Sequence, residues 1–285
     1  MNQPPDWKLS MSESMQLLCS TGTFCRDPEY TDYRAILTYG SELEVDGFEV
    51  MFYPAWYPQV EQTATALVKS GLHFPAVHAE KSIGTLLGNA QREEQEEGIR
   101  RLAANCQLGG LLGAKVLVVH LWGLPELDEQ LEQNLQAFND CLTVAEQFGL
   151  QLAVETIPGS RADPLRNVQR AVDQDARCRV ALDTEFLAIY HQLDAALAAD
   201  WLWQGGKVCH VHIKDFDGQP FAADRRRYLH PGEGSIDFRR FFAGLRQRNF
   251  AGYVSLEASA IKRDGSVDVK RLQESLALLR RLISC

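Results

Sequence analysis

KVLVVHLWGLPELDEQLEQNLQAFNDCLTVAEQFGLQLAVETIPG, residues 115–159, reads as strand, helix, strand. KVLVVHLW (115–122) and LQLAVE (150–155) are short and β-rich. DEQLEQNLQAFNDCLTVAEQFG between them has helical periodicity and ends at a glycine, a common helix stop. Two such strands joined by a helix make a parallel βα unit.

The same alternation runs outward in both directions. Upstream lie QLLCS (16–20), DGFEVMF (46–52) and FPAVHA (74–79), then the helical REEQEEGIRRLAANCQLGGLLG. Downstream lie RVALD (179–183), VCHVHIKD (208–215) and GYVSLE (252–257). Eight strands alternating with helices are the number that closes a (β/α)8 TIM barrel. The chain of 285 residues is 45% hydrophobic, which suits a single barrel domain over 1–285. A doubly wound open sheet is the competing fold, and the missing GxGxxG after the first strand counts against it.

Alternate strand residues point to opposite faces. Leu150, Leu152 and Val154 share one face of their strand, with Gln151, Ala153 and Glu155 on the other. Asp183 shares a face with Ala181, and Glu257 with Tyr253 and Ser255. His78 falls with Phe74 and Ala76, and His120 with Val116, Val118 and Trp122. VCHVHIKD puts His210, His212 and Lys214 on one face. In each strand the apolar face suits the surrounding helices, and the other face ends in Glu, Asp or His. Inward side chains at the C-terminal ends of barrel strands converge on the active-site mouth.

Three converging carboxylates repel one another unless protons or a divalent cation neutralise them. Glu155, Asp183, His212 and Glu257 therefore read as the ligands of one divalent metal at the C-terminal rim. Their oxygen-rich set suits Mn, Mg or Co and is compatible with Zn or Fe. The steps from Glu155 to Asp183 and on to His212 are each roughly thirty residues, about one βα unit. Each residue alone has a plainer reading. Asp183 at a strand end suits a helix cap, His78 and His120 suit hydrogen-bonded core positions, and His210 reads as structural.

The motifs AVETIPG (153–159), ALDTEF (181–186), VHIKD (211–215), HPGEGSIDF (230–238) and YVSLE (253–257) resemble the xylose isomerase-like barrel superfamily. That group includes ketose epimerases, hydroxypyruvate isomerases, inosose dehydratases and apurinic-site endonucleases. The resemblance runs from VHAE (77–80) to Glu257 and implies the same four ligands. It also implies that Glu155 and Glu257 form an acid/base pair, that His78 and His120 line the substrate pocket, and that Glu233 belongs to a closing loop. Dimers or tetramers are common in such families, so a homo-oligomer is compatible with the resemblance.

The chain departs from the pattern at Phe186, where many members carry a histidine. Arg226 and Tyr228 stand at about the places where the endonucleases need an Asp and a His. With a net charge of -9, this disfavours nucleic acid as a partner.

The expected activity is metal-dependent isomerisation or epimerisation of a sugar or sugar phosphate. Proton transfer between Glu155 and Glu257 would pass through a cis-enediolate. An inosose dehydratase-type lyase and a non-catalytic barrel are the alternatives. Lys214 suits either a substrate oxygen or a ligand carboxylate. Arg225, Arg226 and Arg227 suit a phosphate or a plain solvated loop. Trp122 and Phe186 suit apolar walls for a sugar, and Trp122 equally suits rim packing. Phe52, Tyr53, Trp56 and Tyr57 suit a lid or an oligomer contact.

The seven cysteines form no CxxC pair and are expected as reduced thiols filling core space. No apolar run of about 18 or more residues indicates a membrane span. The first residues lack the basic start and apolar stretch of a secretory signal, so the cytoplasm is the expected location.

Overall fold

The computed structural model describes residues 14–25, 33–123, 126–220 and 227–284. Eight parallel strands close into a barrel in sequence order: β1 (Gln16–Ser20), β2 (Gly47–Met51), β3 (Ala76–His78), β4 (Val116–Val119), β5 (Gln151–Glu155), β6 (Arg179–Asp183), β7 (Val208–Ile213) and β8 (Tyr253–Leu256). Closure is made by β1 against β8, with Leu18 beside Ser255. The (β/α)8 reading is therefore correct, and the open sheet is excluded.

Around the barrel run α1 (Arg34–Tyr39), α2 (Val60–Lys69), α3 (Ile83–Leu87), α4 (Arg92–Leu112), α5 (Leu131–Gln147), α6 (Pro164–Gln174), α7 (Thr184–Ile189), α8 (Leu193–Ala198), α9 (Asp200–Trp203), α10 (Phe238–Gln247) and α11 (Val269–Ser284). In α5, Leu131, Leu135, Phe138, Leu142 and Ala145 are buried, a stripe at helical spacing that packs on the sheet. α4 stops at Gly113, whose φ of 73° is left-handed and whose N–H returns to the last turn. α6 begins with Asp163 accepting from the Arg166 N–H and Pro164 in the first turn.

The two strand faces separate as their alternation predicts. Leu117, Val119, Leu152, Val154, Val180, Leu182, Val211, Ile213, Val254 and Leu256 join the large layer between sheet and helices. Leu18, Ala76, Val116, Val118, Ala153, Ala181 and Cys209 form a smaller cluster inside the barrel. These small floor residues leave room above them for the long polar side chains of the rim. β7 carries one extra residue, Cys209, opposite the Val180–Ala181 step. The bulge keeps His210 and His212 in step with Ala181 and Asp183.

Cys19, Cys25, Cys106, Cys141, Cys178 and Cys209 are buried thiols outside any disulfide, as expected, and Cys285 lies outside the described residues. The aromatic residues after β2 pack on one another, with Phe52–Tyr57 centroids 4.9 Å apart and Tyr53–Trp56 centroids 5.5 Å apart. Among the described residues, no helix is long and apolar enough to cross a membrane.

Candidate active site

The strand ends bring the four proposed ligands together. Glu155 ends β5, Asp183 ends β6, His212 lies near the end of β7, and Glu257 directly follows β8. One ligand atom from each lies within 4.8 Å of the others, and all four residues are buried. The Glu257 N–H donates to the Ile213 carbonyl at 3.1 Å, extending the barrel's bonding one residue beyond the strand.

His212 is the hub. Its Nδ1 lies 2.8 Å from Glu155 Oε1 and 3.8 Å from Glu257 Oε2. Its Nε2 lies 2.9 Å from Oε1 of Glu49, a residue of β2. Burial alone would lower the His212 pKa, but Glu49, Glu155 and Glu257 outweigh it and hold the pKa well above its ordinary value. Burial alone would raise Glu155, but His212 and His120 hold that carboxyl well below the usual range.

Lys214 supplies the other positive charge. Its Nζ is 2.5 Å from Asp183 Oδ2 and also contacts Glu257 Oε2. It thus pairs with two of the proposed ligand carboxylates. It also sits over the Phe186 ring, 4.8 Å from the centroid. Burial would raise Glu257, but Lys214 and His212 outweigh it and lower the pKa. Asp183 goes the other way. Burial raises it to about 7, with Glu155 and Glu257 adding to the rise and Lys214 opposing it. Asp183 also accepts from the Phe186 N–H at 3.0 Å, so it caps α7 with Oδ1 while Oδ2 faces the centre. Helix cap and candidate ligand are thus one residue.

His78 and His120 sit beside the quartet. His78 Nε2 is 3.3 Å and His120 Nε2 2.7 Å from Glu155 Oε2. His78 Nδ1 donates to the Ala79 carbonyl, 2.8 Å away. Burial lowers His120 to about 4, against the pull of Glu155, so its ring is neutral near neutral pH.

Other predicted residues stand apart. Trp122 is fully buried and donates from Nε1 to the Pro158 carbonyl at 2.9 Å, which is rim packing. Glu233 accepts from the His230 N–H and pairs with Arg271, so it braces its own loop. Arg227 is exposed, and Arg225 and Arg226 lie outside the described residues.

Three residues were not singled out from sequence. Glu49 is fully buried under His212 and also accepts from Ser255 Oγ at 2.8 Å. Its inward direction was legible in the alternation of Phe48, Val50 and Phe52. Asp215 accepts from the N–H groups of Phe216, Gly232, Gly234 and Ile236 and holds the HPGEGSID turn. Asp128 does the same for the segment after β5, accepting from the N–H groups of Ser160, Arg161 and Ala162.

The donor set fits a divalent cation. Three buried carboxylates and one imidazole converge at ligand distances, and a Lys ammonium already answers the negative charge there.

A family profile described as xylose isomerase-like TIM barrel matches residues 37–282. An uncharacterized protein of Methanocaldococcus jannaschii is 24% identical over 208 residues, which are 66% of this chain and 67% of that protein. The 3-dehydro-D-guloside 4-epimerase of Escherichia coli K12 is 26% identical over 259 residues, 85% of this chain and 92% of the enzyme. Among solved structures, a D-allulose 3-epimerase from Methylomonas sp. superposes with a TM-score of 0.75 at 16% identity. That match covers 94% of this chain and 98% of the other, and it is a likeness of fold.

Proposed function

Because the chain belongs to the xylose isomerase-like TIM barrel family, we propose that it is a divalent-metal-dependent epimerase or isomerase of keto sugars. The observation that carries this reading is the buried pair Glu155 and Glu257, 2.8 and 3.8 Å from His212 Nδ1, with ligand atoms within 4.8 Å of each other and of Asp183. The alignment with a sugar 4-epimerase over nearly the whole of that enzyme supports the substrate class.

Glu155, Asp183, His212 and Glu257 would hold the ion. When bound, it supplies charge that polarises a carbonyl and a neighbouring hydroxyl. The rest is the work of side chains. Both glutamates are kept as carboxylates, so either serves as the base that takes the C–H proton beside the carbonyl. Its removal leaves a cis-enediolate. The other glutamate, once it has taken a proton from a neighbouring donor, returns one, and the base then gives up its proton to solvent, which restores the donor. Delivery to the opposite face of the same carbon gives the epimer, and delivery to the neighbouring carbon gives the isomer. Lys214, in contact with Glu257, is the proton donor within reach of that carboxylate. His78 and His120 both approach Glu155 Oε2 and orient that carboxylate. Phe186 offers an apolar wall beneath Lys214.

The test is solvent exchange. The Mn-loaded protein, incubated in D2O with D-allulose, D-tagatose or a 3-dehydro-hexoside, is expected to place deuterium beside the carbonyl of at least one of them. The Glu155→Gln and Glu257→Gln variants are expected to lose about 100- to 10,000-fold of that rate. A fully loaded protein that exchanges no deuterium into any ketose or ketose phosphate would overturn the reading and favour a binding role. Loss of water from an inosose without exchange would favour a lyase.

A further inference from the structure

We propose that Glu49 is a positioning residue for this site: it fixes the proton of His212 on Nε2 and so leaves Nδ1 as the atom presented to the cation. The inference rests on the reading of the quartet as a cation site and adds a residue outside it.

Glu49 stands at the middle of β2, with its carboxylate fully buried inside the barrel. Its two oxygens have different partners. Oε1 lies 2.9 Å from His212 Nε2, and Oε2 accepts from Ser255 Oγ at 2.8 Å. A carboxylate only accepts, so the Nε2 facing it carries the hydrogen.

The arrangement is braced on several sides. Ser255 is the register partner of His212 across β7 and β8, so the hydroxyl that anchors Glu49 is fixed by the same ladder as the imidazole it orients. The His78 ring lies nearly parallel to the His212 ring, with centroids 5.6 Å apart and 20° between planes. His210 Nε2 approaches the same Glu49 oxygen at 3.4 Å. A flipped His212 would put Cε1–H where Nε2–H now meets Glu49 Oε1 and leave that buried oxygen without its imidazole donor.

A carboxylate behind a metal-binding imidazole fixes its tautomer and makes it a better donor. Loss of such a partner commonly costs about 10- to 100-fold in metal affinity. The glutamine variant keeps an acceptor oxygen for Nε2–H and a partner for Ser255 while losing the charge. Leucine loses both.

The experiment titrates Mn into wild type, Glu49→Gln and Glu49→Leu, and records imidazole 15N–1H correlations of His212 in each. The expected Mn affinities fall in that order, by about 10-fold or more at each step. A Zn-loaded wild type is expected to show protonated Nε2 and metal-bound Nδ1. Equal affinity across the three proteins, or metal on Nε2, overturns the role of Glu49 and leaves the proposed function standing. If the wild type takes up no divalent metal, the cation-site reading falls. The metal-free spectra then decide for Glu49: a hydrogen-bonded Nε2–H that shifts in Glu49→Gln supports it, and an unprotonated Nε2 overturns it. Should Glu49→Leu fail to fold, the glutamine variant and the wild-type spectra carry the test alone.

Discussion

Lys214 brings one positive charge to a point where Asp183 and Glu257 bring two negative ones. Lys214→Met would strand both carboxylates, and removing one partner of a buried pair costs about 3–5 kcal/mol. The metal-free variant is expected to melt below wild type, and added Mn is expected to recover most of the difference. Calorimetry with and without metal checks this, and a variant that metal does not rescue would argue against a shared centre. The pH behaviour follows from Asp183, raised to about 7 by burial with Glu155 and Glu257 adding to it against Lys214. Below that pH the carboxyl holds a proton that a metal must displace. Metal affinity is therefore expected to fall as pH drops from 8 to 6, with more protons released per ion bound. Titration calorimetry in buffers of different ionisation enthalpy measures both. The four proposed ligands could be picked out because each sits at the end of an inward-facing row, where a period of two is enough. Glu49 was not singled out. It lies mid-strand, and its partner His212 is 163 residues away, a pairing no local pattern encodes.

Segments at the rim depend on single aspartates. Asp215→Ala would leave four backbone N–H groups around 216–236 without their acceptor. Each group that stays buried and unsatisfied costs about 1–3 kcal/mol. Faster amide exchange at Gly232, Gly234 and Ile236 is expected, with a lower Tm. Gly234 belongs to the same device, since a Cβ there would meet the Phe216 carbonyl at 2.4 Å. In the helices the large terms are apolar. Phe138 in α5 is fully buried, and Phe138→Ala is expected to cost about 3–5 kcal/mol in denaturant unfolding. Helices and strands were readable from periodicity and glycine stops, with ends moved by a residue or more. KVLVVHLW, for example, pairs only over Val116–Val119 before the chain turns at the rim. The aspartate-held turns were not readable, because their acceptors lie 17 to 34 residues from some of the N–H groups they bind.

For the molecule as a whole, eight strand signals with helices between them were sufficient to name the architecture, because parallel neighbours require crossovers and eight close the sheet. The way the site rests on the opposite side of the barrel was not encoded in any one segment. Burial sets the thiols' behaviour at this scale too, pushing Cys19, Cys106, Cys178 and Cys209 up to about 12. These thiols are expected to resist a disulfide reagent in the native protein and to react only at the rate of opening. Rapid labelling of any of them under native conditions would contradict the packing. The bond from Ser255 to Glu49 joins residues 206 apart, across the seam where β1 meets β8. On a ribosome that bond has to wait until β8 has emerged, long after β2, β5, β6 and β7. A growing chain therefore carries Glu155, Asp183 and His212 before Glu257 and the brace behind His212 exist. On the proposed reading of the quartet, tight metal uptake becomes a late event of synthesis, and a certificate that the two ends of the sheet have met.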